Sequence, residues 1–167
     1  MCIFDLDKDT NFKKNMEIIL KPVAIISNNR KDMSDDFWGD IVSEIELVDD
    51  IPSEALIGIE EFSHVEIIFN FNRVSKSVEF CRHPRGNSDW PMVGIFAQRG
   101  KDRPNKLGIT VAELIRKEER KIYVRHLDAI DGTPVIDIKP VMKEFLIDPK
   151  KVLQPSWASE MLMNYWA

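Results

Sequence analysis

Between His64 and Phe71, the residues Val65, Ile67, Phe69 and Phe71 recur at every second position. That period gathers four large apolar side chains on one face of an extended chain and scatters them around a helix. The segment therefore reads as a strong strand, with Ile68 on its other face. Similar but shorter signals recur along the chain. Pro22–Ser27 reads as a first strand, ended by the Asn28-Asn29 turn signal. Ile41–Val48 reads as a second, with Ile45 and Leu47 alternating against Glu44 and Glu46. Val78–Phe80, Pro91–Ala97, Lys121–Leu127 and Val135–Ile138 follow. Leu107–Ile115 reads as another strand, with a competing helix over Val111–Arg120 because Ala112–Arg120 is rich in helix formers. The β-branched Ile109-Thr110-Val111 decides for a strand, which makes Arg116–Arg120 a charged turn. Pro52–Gly58 reads as one or two helical turns closed by glycine. Ser156–Trp166 reads as a short helix with Trp157, Met161 and Tyr165 spaced by four. Strands outnumber helices at regular spacing, so the expected class is mainly β: a small barrel or sandwich with short helical additions.

The 167 residues suit one domain with a real core, and an apolar fraction of 44% against 31% charged excludes a disordered chain. The expected layout is a tail over residues 1–16, a β domain over 17–150 and a short helical extension over 151–167. The first residues, Met-Cys-Ile-Phe-Asp-Leu-Asp, carry acids where a signal peptide needs bases. No apolar run approaches the roughly 18 residues of a membrane span. A cytoplasmic protein is expected. Two cysteines, Cys2 and Cys81, make no disulfide framework, and the separated His64, His83 and His126 lack metal-ligand spacing, so no metal is expected.

The net charge is −5, yet residues 73–106 hold eight bases and three acids, leaving −10 for the rest. Such asymmetry suggests an anion-binding face on an acidic body, although a solvated surface gives the same count. Within that face, His83-Pro84-Arg85-Gly86 joins a cation and an imidazole between a rigid and a permissive backbone position. Arg99–Gly108 adds Arg99, Lys101, Arg103 and Lys106, with Asn105 able to bond through its amide. Downstream, Asp128, Asp131 and Asp137 lie within ten residues. Asp131-Gly132 is a hairpin turn signal stiffened by Pro134, and a carboxylate such as Asp137 would pair with a base such as an arginine or Lys139. There is no Gly-x-Gly-x-x-Gly after a strand, no Walker lysine and no Gly-x-Ser-x-Gly elbow.

In order along the chain stand Phe62-Ser63-His64, Pro84-Arg85, Gly94-x-Phe96-Ala97-x-Arg99, Arg103-Pro104-Asn105 with Gly108, and the Leu127–Pro140 stretch Leu-Asp-x-x-Asp-Gly-Thr-Pro-Val-x-Asp-Ile-Lys-Pro. Over about residues 20–145 this pattern resembles the TrmO family, also called TsaA- or YaeB-like. Two departures are Gln98-Arg99-Gly100 for the usual Thr-Arg-Ser, and Pro104-Asn105-Lys106 for Pro-Asn-Pro. A further C-terminal domain found in some members is not expected here. The resemblance implies a small non-Rossmann β-barrel that binds S-adenosylmethionine, usually as a homodimer. It also implies methylation of N6 of threonylcarbamoyladenosine beside the tRNA anticodon.

The implied cofactor contacts are Asn72, Arg73, Arg99, Ile109 and Leu127, Asp128, Ala129, Ile130, Asp131 and Gly132. Methyl transfer from a sulfonium is an in-line displacement, so alignment carries much of the rate and no protein nucleophile is required. The acceptor nitrogen bears a carbonyl substituent, and a carboxylate or imidazole would take its proton. Asp131 is the first candidate and His83 the second. Arg85, Arg103, Asn105 and Lys106 would hold tRNA phosphates or the threonyl carboxylate. Trp38 would stack on an adenine ring or pack in the core. A methyltransferase acting on a small molecule or another modified base, and a non-enzymatic nucleotide- or RNA-binding barrel, remain as alternatives.

Overall fold

The period-two pattern of β3 (His64–Asn70) folds as its spacing predicts. Val65, Ile67 and Phe69 are fully buried while their neighbours are not, in this computed structural model describing residues 17–167. The tail expected over residues 1–16, with Cys2, lies outside the described residues. Around β3 stand β1 (Ala24–Ser27), β2 (Val42–Leu47), β6 (Leu107–Glu118), β7 (Lys121–Arg125) and β8 (Pro134–Pro140). They close into an antiparallel barrel in the order β1-β2-β7-β6-β3-β8, which leaves no open sheet edge. A separate ribbon pairs β4 (Cys81–Arg82) with β5 (Val93–Gly94).

Inward positions of the six strands fill the barrel with Ile26, Ile45, Ile67, Phe69, Ala112, Ile122, Val124 and Val135. The β6–β7 hairpin confirms strand over helix. Its turn is shorter than Arg116–Arg120, because pairing continues to Glu118 against Lys121. Register shifts mark two bulges, one between Leu114 and Arg116 and one beside Phe69, where Ile136 is the extra residue of β8. At the cross-strand pair Phe69–Gly108, the Phe69 ring lies over the glycine so closely that a Cβ there would sit 2.5 Å from ring carbons.

Four local expectations are corrected. Pro52–Gly58 is not closed by a C-terminal glycine. Ser53–Leu56 and Ile59–Glu61 are two 3₁₀ turns, and Gly58 at φ 82° joins them. The short strand expected at Val78–Phe80 falls at Cys81–Arg82 instead, where β5 supplies a partner. Pro91–Ala97 is extended only at Val93–Gly94 and then tightens into the 3₁₀ turn Ile95–Ala97, which buries Ile95. The C-terminal helix α1 covers Ser156–Met161 only, and Tyr165 and Trp166 follow in turns. Asp137 pairs with Lys139 on the barrel exterior.

Candidate functional site

Antiparallel pairing brings the end of β3, the start of β6, the end of β7 and the start of β8 to one rim of the barrel. Above that rim lie the β4–β5 ribbon, the 28–40 loop and the segment after α1. Together they wall a cavity of about 940 Å³, within the range that holds drug-sized ligands.

The Leu127–Gly132 segment forms one wall. Leu127 and Ala129 are buried in the core, so the alternate residues Asp128 and Ile130 turn toward the cavity. The turn beyond is held by its backbone: the Asp131 N–H donates to Arg30 O, and the Gly132 N–H to Ile26 O, each at 2.8 Å. Gly132 has φ 76°, which a side chain would strain. Asn28 braces the same wall, its amide donating to Ala129 O and Ser43 Oγ at 2.9 Å.

Asp128 is the polar centre of the cavity. One carboxylate oxygen accepts from the Thr110 hydroxyl of β6, the other from the Tyr165 hydroxyl beyond α1. Burial, then the Asp128 carboxylate beside it, pushes the Tyr165 phenol pKa well up, so Tyr165 stays a donor.

Three cations carry the opposite charge. Arg73 donates to Asp131 O at 2.9 Å and Arg99 to Ile109 O at 2.6 Å. Both partners are neutral carbonyls, so the guanidinium charges stay uncompensated. Lys76 also lines the cavity, with no side-chain partner among the described residues. Three other cations of the basic segment are neutralised. Arg82 pairs with Asp102 at 2.9 Å, Lys101 with Asp35 at 2.7 Å, and Arg85 grips Asp36 with two bonds of 2.8 and 2.9 Å. The face is thus less positive than the +5 of its sequence, because acids from the 28–40 loop fold onto it.

His83 lines the cavity, and its Nδ1 lies 2.7 Å from Trp90 O. A carbonyl only accepts, so Nδ1 donates, and in the neutral ring the lone pair falls on Nε2. Trp38 borders the cavity at 5% exposure, but Arg30 covers one ring face 3.8 Å from the centroid. Among the described residues no cluster of His, Cys, Asp or Glu has the form of a metal site, and no helix is long and apolar enough to cross a membrane.

Of the sequence-predicted site residues, Trp38, Asn72, Arg73, His83, Arg85, Arg99, Asp128, Ala129 and Ile130 come together on the cavity. Others do not. Asp131, the first candidate for proton acceptor, lies outside the lining, and its carboxylate accepts the Asn28 N–H at 3.3 Å. Leu127 is core, and Ile109 is exposed outside the barrel, contributing only its carbonyl to Arg99. Gly132 contributes through the turn. Arg103, Asn105 and Lys106 lie off the lining, and the Lys106 ammonium donates to Val74 O at 2.7 Å. Sequence reasoning missed Thr110, Lys76, Met161, Leu162, Tyr165 and Trp166. The spacing of four from Met161 to Tyr165 marks them as a face, but nothing in it says what the face meets.

A closed six-stranded barrel with a rim cavity of small-molecule size, an acid-and-hydroxyl cluster on one side and free cations on another, defines the class of fold and site. The chain belongs to the tRNA-methyltransferase O N-terminal domain family, whose model matches residues 34–146. A human tRNA (adenine(37)-N6)-methyltransferase is 39% identical over 107 residues, 62% of this chain and 23% of the human one. A probable S-adenosyl-L-methionine-binding protein of Pyrococcus abyssi is 33% identical over 84% of this chain and 76% of its own length. A crystal structure of TrmO superposes with TM-score 0.67 at 26% identity, over 85% of this chain and 64% of that one. The chain thus spans about a quarter of the human relative's length.

Proposed function

We propose that this chain is an S-adenosylmethionine-dependent methyltransferase acting on N6 of threonylcarbamoyladenosine beside the tRNA anticodon. The observation that carries this reading is the cavity's division of charge. Asp128 with Thr110 offers acceptors for ribose hydroxyls or an ammonium, while Arg73, Lys76 and Arg99 offer donors for a carboxylate. Phe71, Val74 and Leu162 add apolar surface for a base and a thioether. A zwitterionic nucleoside sulfonium fits this donor set, and the relatives named for that ligand support it. When bound, the cofactor supplies an electrophilic methyl group.

The chain's own residues then hold and align. Asp128 and the free arginines fix the two charged ends. The ribbon and the 28–40 loop exclude water. His83 Nε2 takes the proton of the acceptor nitrogen, its tautomer set by Trp90 O. This role passes to His83 because Asp131 lies off the cavity. The exposed outward side chains of β6, Ile109, Val111 and Ile115, support a homodimer. The reading places the protein in the cytoplasm, where tRNA is modified.

The test is twofold. Calorimetry with S-adenosylmethionine detects the cofactor, and no binding refutes every methyltransferase reading. Labelled methyl transfer to bulk tRNA from a deletion strain, compared with wild-type tRNA, tests the acceptor. Equal labelling of both counts against tRNA as the substrate.

A further inference from the structure

The family match ends at residue 146, yet Met161, Leu162, Tyr165 and Trp166 line the cavity. We propose that the segment after α1 is a working wall of the cofactor site, and that Tyr165 is a positioning residue that orients Asp128 toward the ligand. The proposal rests on the cofactor reading above and adds a residue outside the matched family domain.

Three contacts seat the segment, and a fourth holds α1 before it. The Phe37 N–H donates to Asn164 O at 3.0 Å and the Trp38 N–H to Tyr165 O at 2.9 Å. Trp90 Nε1 donates to Glu160 at 3.1 Å, and Trp166 packs edge-on against His126 at 5.6 Å. At Gly39 a Cβ would lie 2.1 Å from Trp166 O, so the 28–40 loop receives the segment only because that position is glycine. A segment seated this closely is built in, unlike a plug that a ligand must expel.

The Tyr165 hydroxyl takes one carboxylate oxygen of Asp128 and Thr110 takes the other. A carboxylate has about four lone-pair sites, so each oxygen keeps one for a ligand. With both oxygens tethered, the plane of the carboxylate is set before binding, and less ordering is left for the ligand to impose. The phenol oxygen also keeps lone pairs. The pair therefore presents a fixed row of acceptors to a ligand bearing vicinal hydroxyls or an ammonium.

The probe is S-adenosylhomocysteine, measured by calorimetry on the full chain. Tyr165→Phe is expected to bind about tenfold more weakly, and to add nothing further in an Asp128→Asn background, since the two act as a unit. In a Tyr123→Phe background Tyr165 is the sole tyrosine, and its ¹³Cζ NMR signal is expected to move when the probe binds. Gly39→Ala, at a position outside the cavity lining, pushes away the Trp166 carbonyl and gives the same weakening should Tyr165→Phe not fold. Binding by Tyr165→Phe as tight as or tighter than wild type overturns the proposal and leaves the methyltransferase reading standing. Fully additive losses in the two backgrounds, or a ¹³Cζ signal that stays put, overturn it likewise. No binding by the wild type overturns both.

Discussion

Gly108→Ala tests the packing of the barrel through the sign of one stability change. Gly108 pairs across the sheet with Phe69, in ordinary backbone geometry. In a strand without steric conflict, alanine stabilises over glycine by roughly 0.5–1 kcal/mol, because it restricts the unfolded chain. Here the new methyl would sit 2.5 Å from Cε2 and Cζ of Phe69 and 3.0 Å from Cε1. Phe69 is fully buried, so its ring has no solvent to turn into. Overpacking of this kind costs about 1–3 kcal/mol. The expected net change is a loss of about 1–2 kcal/mol, or a fall in Tm of about 2–8 °C for a chain of this size. Thermal and urea unfolding of the two proteins measure it. Phe69→Leu removes the offending ring and alone costs about 1–2 kcal/mol in lost packing. Combined with Gly108→Ala it is expected to fall short of additivity by about 1 kcal/mol, since the clash is gone. A Gly108→Ala protein as stable as wild type or more so would refute the argument. It would mean that the ring does not lie over the glycine, and that the β3–β6 register is different.

Three further predictions concern the site and the charges. His83→Ala is expected to lower kcat by about 10²–10⁴-fold with little change in S-adenosylmethionine affinity, as single-turnover methyl transfer and calorimetry would show. Asp36→Asn leaves Arg85 without its two-bonded partner. At 25% exposure of each side chain this costs no more than about 1 kcal/mol, and tRNA affinity should rise with a steeper salt dependence in filter binding. Glu44 is held below the usual carboxylate range by its bond to Lys121, with Tyr123 adding to it against a burial penalty. A folded-state pKa that is lowered gives stability present above the unfolded value and lost as pH falls through the folded one. Glu44→Gln is therefore expected to flatten the acid limb of stability below about pH 4.5, measured by urea unfolding across pH.

What could be read residue by residue was whatever depends on neighbours in sequence. The alternation of β3 specifies a strand because side-chain direction repeats every two residues. Asp131-Gly132 specifies a turn because Gly132 must take a positive φ. The ordered motifs from Phe62 to Pro140 identified the family before any contact was known. The site was legible only in part, because distance along the chain hides what meets across it. Arg85 and Asp36 are 49 residues apart, and their pairing turns a candidate phosphate ligand into half of an ion pair. Asp131 and Asp128 look alike on paper. Packing of Leu127 and Ala129 into the barrel turns Asp128 to the cavity and leaves Asp131 holding Asn28. Tyr165 reads as one aromatic position on a helical face, and the chain had to fold back on Gly39 before its hydroxyl could reach Asp128. Local geometry follows from the sterics of adjacent residues. The charge and the donors of the cavity follow from which distant segments the closed barrel brings to one rim.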